Sequence, residues 1–139
     1  MVDVVQLSQE EQADRKAAIL VVEDEVLVRS VVAEYLRDAG FTVVEAGNAA
    51  EAMALVASQI PVDIVFTDIQ LGDGPDGLSL ADWIDAHSAG LPVLLTSGAF
   101  VPRGASGVRP FISKPYVYLQ LERRLRALLA QKSTPKAES

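Results

Sequence analysis

The chain has 139 residues, of which half are apolar and 22% are charged, and its formal net charge is −7. These values suit one soluble domain with a single core, and the negative charge argues against non-specific binding to nucleic acid or anionic lipid. The sequence contains no cysteine, which excludes disulfides, thiolate nucleophiles and cysteine-ligated metals.

Residues 1–16 are polar and acidic, and they lack the basic and apolar stretches of a signal peptide. We expect a flexible N-terminal arm there, followed by one domain over residues 17–131 and a polar tail over residues 132–139. No apolar run near the N-terminus is long enough to span a bilayer. The expected location is therefore the cytoplasm.

Short apolar runs alternate with amphipathic helical patterns along the chain. The predicted strands cover residues 18–22, 42–46, 62–67, 92–96 and 110–113. The predicted helices cover residues 28–39, 49–56, 78–87 and 116–130. This alternation predicts an α/β fold, in which helices cover both faces of a doubly wound, five-stranded parallel sheet.

Two helix boundaries carry specific signals. Gly40 follows the first helical pattern, at the position where a left-handed C-cap favours glycine. Asn48, followed by Glu51, predicts an N-cap with its returning acid at the start of the second helix.

Polar side chains follow four of the five predicted strands at the point where each strand ends. The carboxyl ends of parallel strands form one edge of the sheet, and ligands of such folds bind in the crevice there. We therefore expect these side chains to lie close together. They are Glu23 and Asp24 after the first strand, Asp68 after the third, Thr96 and Ser97 at the fourth, and Lys114 after the fifth.

Clustered carboxylates repel one another by roughly 1–4 kcal/mol for two unit charges about 4 Å apart, so a cation would stabilise this cluster. Oxygen ligands without histidine or cysteine favour a hard ion such as Mg²⁺, Mn²⁺ or Ca²⁺. A carboxylate can also attack phosphorus to give an aspartyl phosphate. Lys114 would then offset the phosphate charge, and a hydroxyl would donate to a phosphate oxygen.

Four stretches in this order, ILVVEDE, DIVFTD, PVLLTSG and FISKPY, resemble the receiver domain of two-component response regulators. The resemblance covers roughly residues 17–130, and its specificity comes from the combination of the four motifs. It implies the flavodoxin-like strand order 2-1-3-4-5. It also implies phosphorylation by a sensor histidine kinase or a histidine phosphotransfer protein.

The resemblance implies a metal site at the same edge of the sheet. Asp68 is the phosphoacceptor and a ligand of Mg²⁺ or Mn²⁺. Asp24 is the direct ligand, and Glu23 binds the ion through water. Gln70 contributes its backbone carbonyl.

The resemblance also implies roles in phosphate binding and switching. Lys114 pairs first with Asp68 and then with the phosphoryl group. Ser97, with Thr96 beside it, moves its hydroxyl onto the phosphate, and Phe111 takes the aromatic switch position. Taken singly, each side chain also fits a structural role: a helix cap, a surface lysine, a strand-end hydroxyl or a core aromatic. Their coincidence at one edge favours function.

The segment between Ser97 and Phe111 departs from the family pattern. Its sequence, GAFVPRGASGVRP, holds three glycines and two prolines in thirteen residues, a density that argues against a regular helix. Receivers usually have a full helix four there. We predict that helix four is short or replaced by a loop over residues 99–109.

The expected function is a single-domain receiver that switches partner binding without direct contact with nucleic acid or membrane. It would not be an enzyme beyond its own phosphorylation and dephosphorylation. Three alternatives stay open: a receiver module of a hybrid histidine kinase, an aspartyl-phosphate phosphatase, and a module that has lost phosphorylation. A phosphatase typically carries a second acid two residues after its nucleophile, and here that residue is Gln70.

Overall fold

The computed structural model describes residues 15–99 and 109–133. Within these ranges the chain forms five strands and four helices. The strands are β1 (Ala18–Val22), β2 (Thr42–Ala46), β3 (Ile64–Asp68), β4 (Val93–Ser97) and β5 (Phe111–Ser113). The helices are α1 (Val26–Asp38), α2 (Ala49–Ala57), α3 (Gly77–His87) and α4 (Tyr118–Ser133).

The five strands form one parallel sheet in the order β2-β1-β3-β4-β5. This confirms the predicted α/β fold and the strand order implied by the resemblance. The chain adds β2 on one side of β1 and then β3, β4 and β5 on the other side. In such folds the binding crevice lies where the order reverses, here at the carboxyl ends of β1 and β3. The register of β3 and β4 pairs Asp68 with Thr96 at this edge.

The interior strand β1 is buried on both faces, as expected for a parallel sheet covered by helices on both sides. Ile19 and Val21 face α1 and α4, whereas Leu20 and Val22 face α2 and α3. Each fully buried aliphatic side chain contributes roughly 1.5–3 kcal/mol. The two apolar layers therefore hold β1 and β3 firmly and fix the position of the strand ends that carry the polar residues.

The structure contains the predicted glycine after α1 and the predicted N-cap of α2, but the acid of the N-cap binds a different N–H. Gly40 follows α1 with a φ of 108°, a conformation that glycine adopts without strain. The side chain of Asn48 caps α2 by accepting a hydrogen bond of 2.8 Å from the backbone N–H of Glu51. The carboxylate of Glu51 accepts from the N–H of Gly47 at 2.7 Å, one residue before the position that the capping-box pattern predicts.

The edge strand β5 is short, and a charged residue precedes it. The guanidinium Nη2 of Arg109 donates to the carboxylates of Asp82 and Asp85 on α3, at 2.6 and 2.8 Å. At its other end, the backbone N–H of Lys114 continues the ladder to the carbonyl of Ser97 at 3.0 Å. These contacts place Lys114 beside the end of β4.

Several predictions concern the ends of the chain and one internal segment. Helix α4 runs to Ser133 and so includes the first two residues of the predicted tail. Residues 1–14 of the predicted arm and residues 134–139 of the tail lie outside the described residues. The same holds for residues 100–108, so the prediction for helix four stays a prediction. In the part of the chain that the structure describes, no helix has the length and apolar character to cross a bilayer.

Candidate functional site

The carboxylate of Asp68 is buried at the end of β3, with only 6% of the residue exposed. Its Oδ2 accepts a hydrogen bond of 2.6 Å from Nζ of Lys114, and its Oδ1 accepts one of 3.0 Å from the backbone N–H of Gln70. Burying a carboxylate is unfavourable unless it is paired and hydrogen-bonded. These two donors meet that requirement and keep Asp68 at the floor of the crevice.

Glu23 places a second buried carboxylate beside the same ammonium. Its Oε1 lies 3.5 Å from Nζ of Lys114, and its Oε2 accepts from the backbone N–H of Glu25 at 3.2 Å. Burial raises the pKa of Glu23 above its ordinary value; the Glu25 N–H and Lys114 oppose this shift, and Asp68 and Asp24 add to it. Two buried acids therefore share one lysine, which leaves an excess of negative charge.

The ammonium of Lys114 is stabilised by the acids around it. Burial acts to lower the pKa of Lys114, but the hydrogen bonds to and charges of Asp68 and Glu23 outweigh burial and hold the pKa above its ordinary value. Lys114 therefore stays charged across the physiological pH range. It can offset additional negative charge that arrives on Asp68.

Asp24 is exposed at the rim of the crevice, next to the loop that follows β3. A Cβ placed on Gly72 would lie 3.2 Å from Oδ2 of Asp24, and Gly72 has a φ of 71°. Only glycine combines this backbone conformation with so close an approach. The loop after Asp68 thus folds back against Asp24, so the two predicted metal ligands border the same crevice.

The hydroxyl of Ser97 is engaged with neighbours other than Asp68. Its Oγ donates to the side-chain Oε1 of Gln70 at 2.8 Å and accepts from the N–H of Ala99 at 3.0 Å. The resemblance implies a role in ion binding for the backbone carbonyl of Gln70, and the contact between its side chain and Ser97 was not predicted. The position of Gln70, two residues after a strand-end aspartate, was the available signal for its side chain. Thr96 is also buried, and its hydroxyl has no hydrogen-bond partner among the described residues.

Aromatic side chains occupy both faces of the sheet near the site. Phe111, the predicted switch aromatic, is half-buried and packs against the apolar layer of α2 and α3. Tyr116, which the sequence analysis did not single out, lies two residues after Lys114 and packs edge-on against Phe66 at 5.9 Å between ring centroids. Its ring also contacts Tyr118 at 6.3 Å. Burial raises the pKa of Tyr116 to about 12.

This pKa predicts a distinct titration for Tyr116. Because the folded-state pKa is above the ordinary value of 10.0, Tyr116 contributes stability that is complete below pH 10.0 and is lost as the pH rises through about 12. The hydrogen bond to Glu122 also raises the pKa of Tyr35 above its ordinary value, so near-ultraviolet tyrosinate absorbance should show a late-titrating phase whose amplitude falls by one tyrosine in Tyr116→Phe. A late phase of unchanged amplitude in Tyr116→Phe would contradict the assignment to Tyr116.

The donor set at the crevice suits a hard divalent ion. Glu23, Asp24 and Asp68 offer only oxygen ligands, as Mg²⁺ requires, and two of these acids, Glu23 and Asp68, are buried around the single ammonium of Lys114. Among the described residues, no group of three or more His, Cys, Asp or Glu side chains forms a ready metal site. The fit to the ion rests instead on the chemistry of the oxygen ligands and on the two acids, Glu23 and Asp68, that Lys114 bridges.

Comparison with known proteins identifies relatives of the same kind. The family model for the response regulator receiver domain matches residues 19–126. The probable transcriptional regulatory protein TcrX of Mycobacterium tuberculosis is 32% identical over 126 residues, which cover 87% of this chain and 53% of TcrX. The chain thus spans about half the length of this curated relative.

Solved structures show the same similarity. A response regulator receiver protein from Sinorhizobium medicae superposes with a TM-score of 0.78 at 27% identity, over 85% of this chain and 98% of that one. The response regulator protein TrrA of Thermotoga maritima, solved in complex with Mg²⁺ and BeF, superposes with a TM-score of 0.73 at 26% identity. That match covers 81% of this chain and 98% of TrrA.

Proposed function

Since this chain belongs to the response regulator receiver family, we propose that it accepts a phosphoryl group on Asp68 from a histidine of a sensor kinase or phosphotransfer protein. The observation that carries the proposal is the buried carboxylate of Asp68, hydrogen-bonded to Lys114 and close to the second acid Glu23. The function is assigned to the receiver unit, which we place in the cytoplasm.

The transfer is a displacement at phosphorus. A carboxylate oxygen of Asp68 forms a bond to phosphorus while the bond from phosphorus to the donor's imidazole nitrogen breaks, and that nitrogen keeps the electron pair. Lys114, 2.6 Å from Asp68, offsets charge on the phosphoryl oxygens. The Ser97 hydroxyl exchanges its bond to Gln70 for one to the phosphoryl group. This exchange links chemistry at Asp68 to the end of β4.

A divalent ion completes this site in the proposal. Glu23, Asp24, Asp68 and the backbone carbonyl of Gln70 would hold Mg²⁺, which supplies positive charge to the phosphoryl oxygens. The Mg²⁺ complex of TrrA, a similar chain, supports this choice of ion. The excess of buried acid over lysine supports it from the chemistry of this chain.

A switch is favoured over a phosphatase by the residue at the general-acid position. Repeated turnover needs a proton donor for the leaving group. Gln70 has no acidic proton, and its side-chain oxygen accepts a hydrogen bond from Ser97. The aspartyl phosphate would therefore persist long enough to change partner binding.

Intact-mass measurement tests the proposal. The chain is incubated with a small acyl phosphate and Mg²⁺, and we expect the wild type to gain the mass of one phosphoryl group. Asp68→Asn should gain nothing, whereas Asp73→Asn, an exposed acid in the same loop, should label as the wild type does. Stoichiometric labelling of Asp68→Asn, or repeated turnover of phosphomonoesters by the wild type, would contradict the proposal.

A further inference from the structure

Arg29 connects the start of α1 to the ends of β1 and β2. Its Nη1 donates a hydrogen bond of 2.7 Å to the backbone carbonyl of Glu23. Its Nε donates to Oε1 of Glu45, in β2, at 3.3 Å. The side chain is only 18% exposed. A long cationic side chain buried to this extent and bonded to two segments is in a defined position.

The carbonyl that Arg29 binds belongs to the peptide unit between Glu23 and Asp24. The direction of this carbonyl sets the orientation of the peptide that joins the two acids. On the other side of Glu23, its N–H donates to the carbonyl of Ala46 at 3.1 Å and so extends the β1–β2 ladder. Arg29 thus holds the acidic turn at the point where the sheet ladder ends.

Glu45 and Gly47 hold the guanidinium of Arg29 in place. Glu45 pairs with Arg29 and also with Arg37, the latter at 3.2 Å. A Cβ placed on Gly47 would lie 3.2 Å from Nη1 of Arg29. A side chain at position 47 would press on the guanidinium of Arg29, so glycine there leaves space for the guanidinium.

We propose that Arg29 is a positioning residue for the divalent ion: its hydrogen bond to the Glu23 carbonyl keeps the Glu23 and Asp24 carboxylates in the arrangement that binds Mg²⁺. The inference rests on the proposed function. Groups that orient metal ligands without touching the metal typically change metal affinity about 10–100-fold when they are removed.

The experiment measures Mg²⁺ binding by the full chain, with MgCl₂ as the only added ligand and backbone amide NMR shifts as the readout. Arg29→Met should weaken Mg²⁺ binding about tenfold. Arg37→Ala is the matched control, because it removes a cation from the same Glu45 without touching Glu23, and we expect its Mg²⁺ affinity to match that of the wild type. If Arg29 acted only through its charge, Arg29→Met would bind Mg²⁺ more tightly, and the inference would be overturned.

A second variant covers the case in which Arg29→Met does not fold. Gly47→Ala keeps the arginine and displaces its guanidinium by contact, so it should also weaken Mg²⁺ binding while the thermal unfolding midpoint changes little. Unchanged Mg²⁺ affinity in Arg29→Met, or in Gly47→Ala if only that variant folds, would overturn the inference alone. A wild-type chain that does not bind Mg²⁺ would overturn the metal-dependent function together with it.

Discussion

Replacing Gly77 by alanine is expected to lower the free energy of unfolding by about 3 kcal/mol, at the upper end of the usual effect of overpacking. Gly77 is the buried first residue of α3, and its N–H donates to the carbonyl of Ile69 at 2.8 Å. An added Cβ would overlap the backbone carbonyl of Asp68 and lie 2.8 Å from Cα of Ile69. Because these are backbone atoms, α3 or the end of β3 must move.

Equilibrium urea unfolding measures this change, and phosphoryl uptake should fall because the displaced backbone carries Asp68. Gly98→Ala is the control at the same site. Its Cβ would lie 3.7 Å from Cβ of Lys114, an ordinary contact, so we expect a change within about 0.5 kcal/mol. A Gly77→Ala protein as stable as the wild type would show that α3 packs against Asp68 less closely than the structure indicates.

Replacing Lys114 by methionine is expected to destabilise the protein by about 2 kcal/mol at neutral pH. Removing one partner of a fully buried ion pair typically costs 3–5 kcal/mol. The Lys114 side chain is 31% exposed, and solvent screening reduces the effect. Methionine keeps the apolar stem, so the loss reports the charge. Phosphoryl uptake should also fall, because no ammonium remains to offset the charge on the phosphoryl group.

The destabilisation in Lys114→Met should depend on pH. Burial already raises the pKa of Glu23 above its ordinary value of 4.5, and removing the ammonium raises this pKa further. A carboxyl group with a raised folded-state pKa stabilises the protein fully below its unfolded-state pKa and loses that contribution as the pH rises through the folded-state pKa. The stability difference between wild type and variant should therefore shrink as the pH falls toward 4.5.

Urea unfolding across a pH series measures this dependence. Lys132→Met removes an exposed lysine whose ammonium donates to the backbone carbonyl of Asp63 at 3.2 Å, and its effect should stay within about 0.5 kcal/mol at every pH. A destabilisation by Lys114→Met that does not change with pH would argue against the shared charge of Lys114 and Glu23.

The sequence predicts the sheet well because parallel strands in a covered sheet are nearly continuous apolar runs. The bounds of β1 and β2 agree with the predicted ranges, whereas β3 and β4 begin two and one residues later than predicted and each end one residue later, at Asp68 and Ser97. The polar residues Asp68 and Ser97 follow apolar runs, so the sequence pattern predicts that each strand ends before them. In the structure the backbone ladder continues to these residues, with the N–H of Ile69 donating to the carbonyl of Thr96 at 2.9 Å and the N–H of Lys114 to the carbonyl of Ser97 at 3.0 Å. Local hydrogen bonds to the side chains of Asp68 and Ser97 offset the burial of these polar groups.

The sequence predicts that the polar side chains at the strand ends lie close together and that Lys114 pairs with Asp68, and the structure shows both contacts, whereas the partner of Ser97 was not predicted. Strand topology alone brings Glu23, Asp68 and Lys114 to one edge, and the structure places them in contact. Which atom Ser97 binds depends on side-chain rotamers, so the sequence marks the position of Gln70 but not the bond between its side chain and Ser97. The contact between Arg29 and the Glu23 carbonyl was not predictable for a related reason. The partner of Arg29 is a backbone carbonyl, which every residue carries, and no residue type marks such a contact.

Ionic strength should act unequally on the two ends of β5. The carboxylates that bind Arg109 are well exposed, with 77% and 60% of the side chains of Asp82 and Asp85 accessible, so dissolved ions screen this attachment. The partners of Lys114 at the other end are buried and are largely shielded from salt. Concentrated salt would therefore loosen β5 from its N-terminal end, where Arg109 binds α3, while Lys114 at its C-terminal end kept its buried partners.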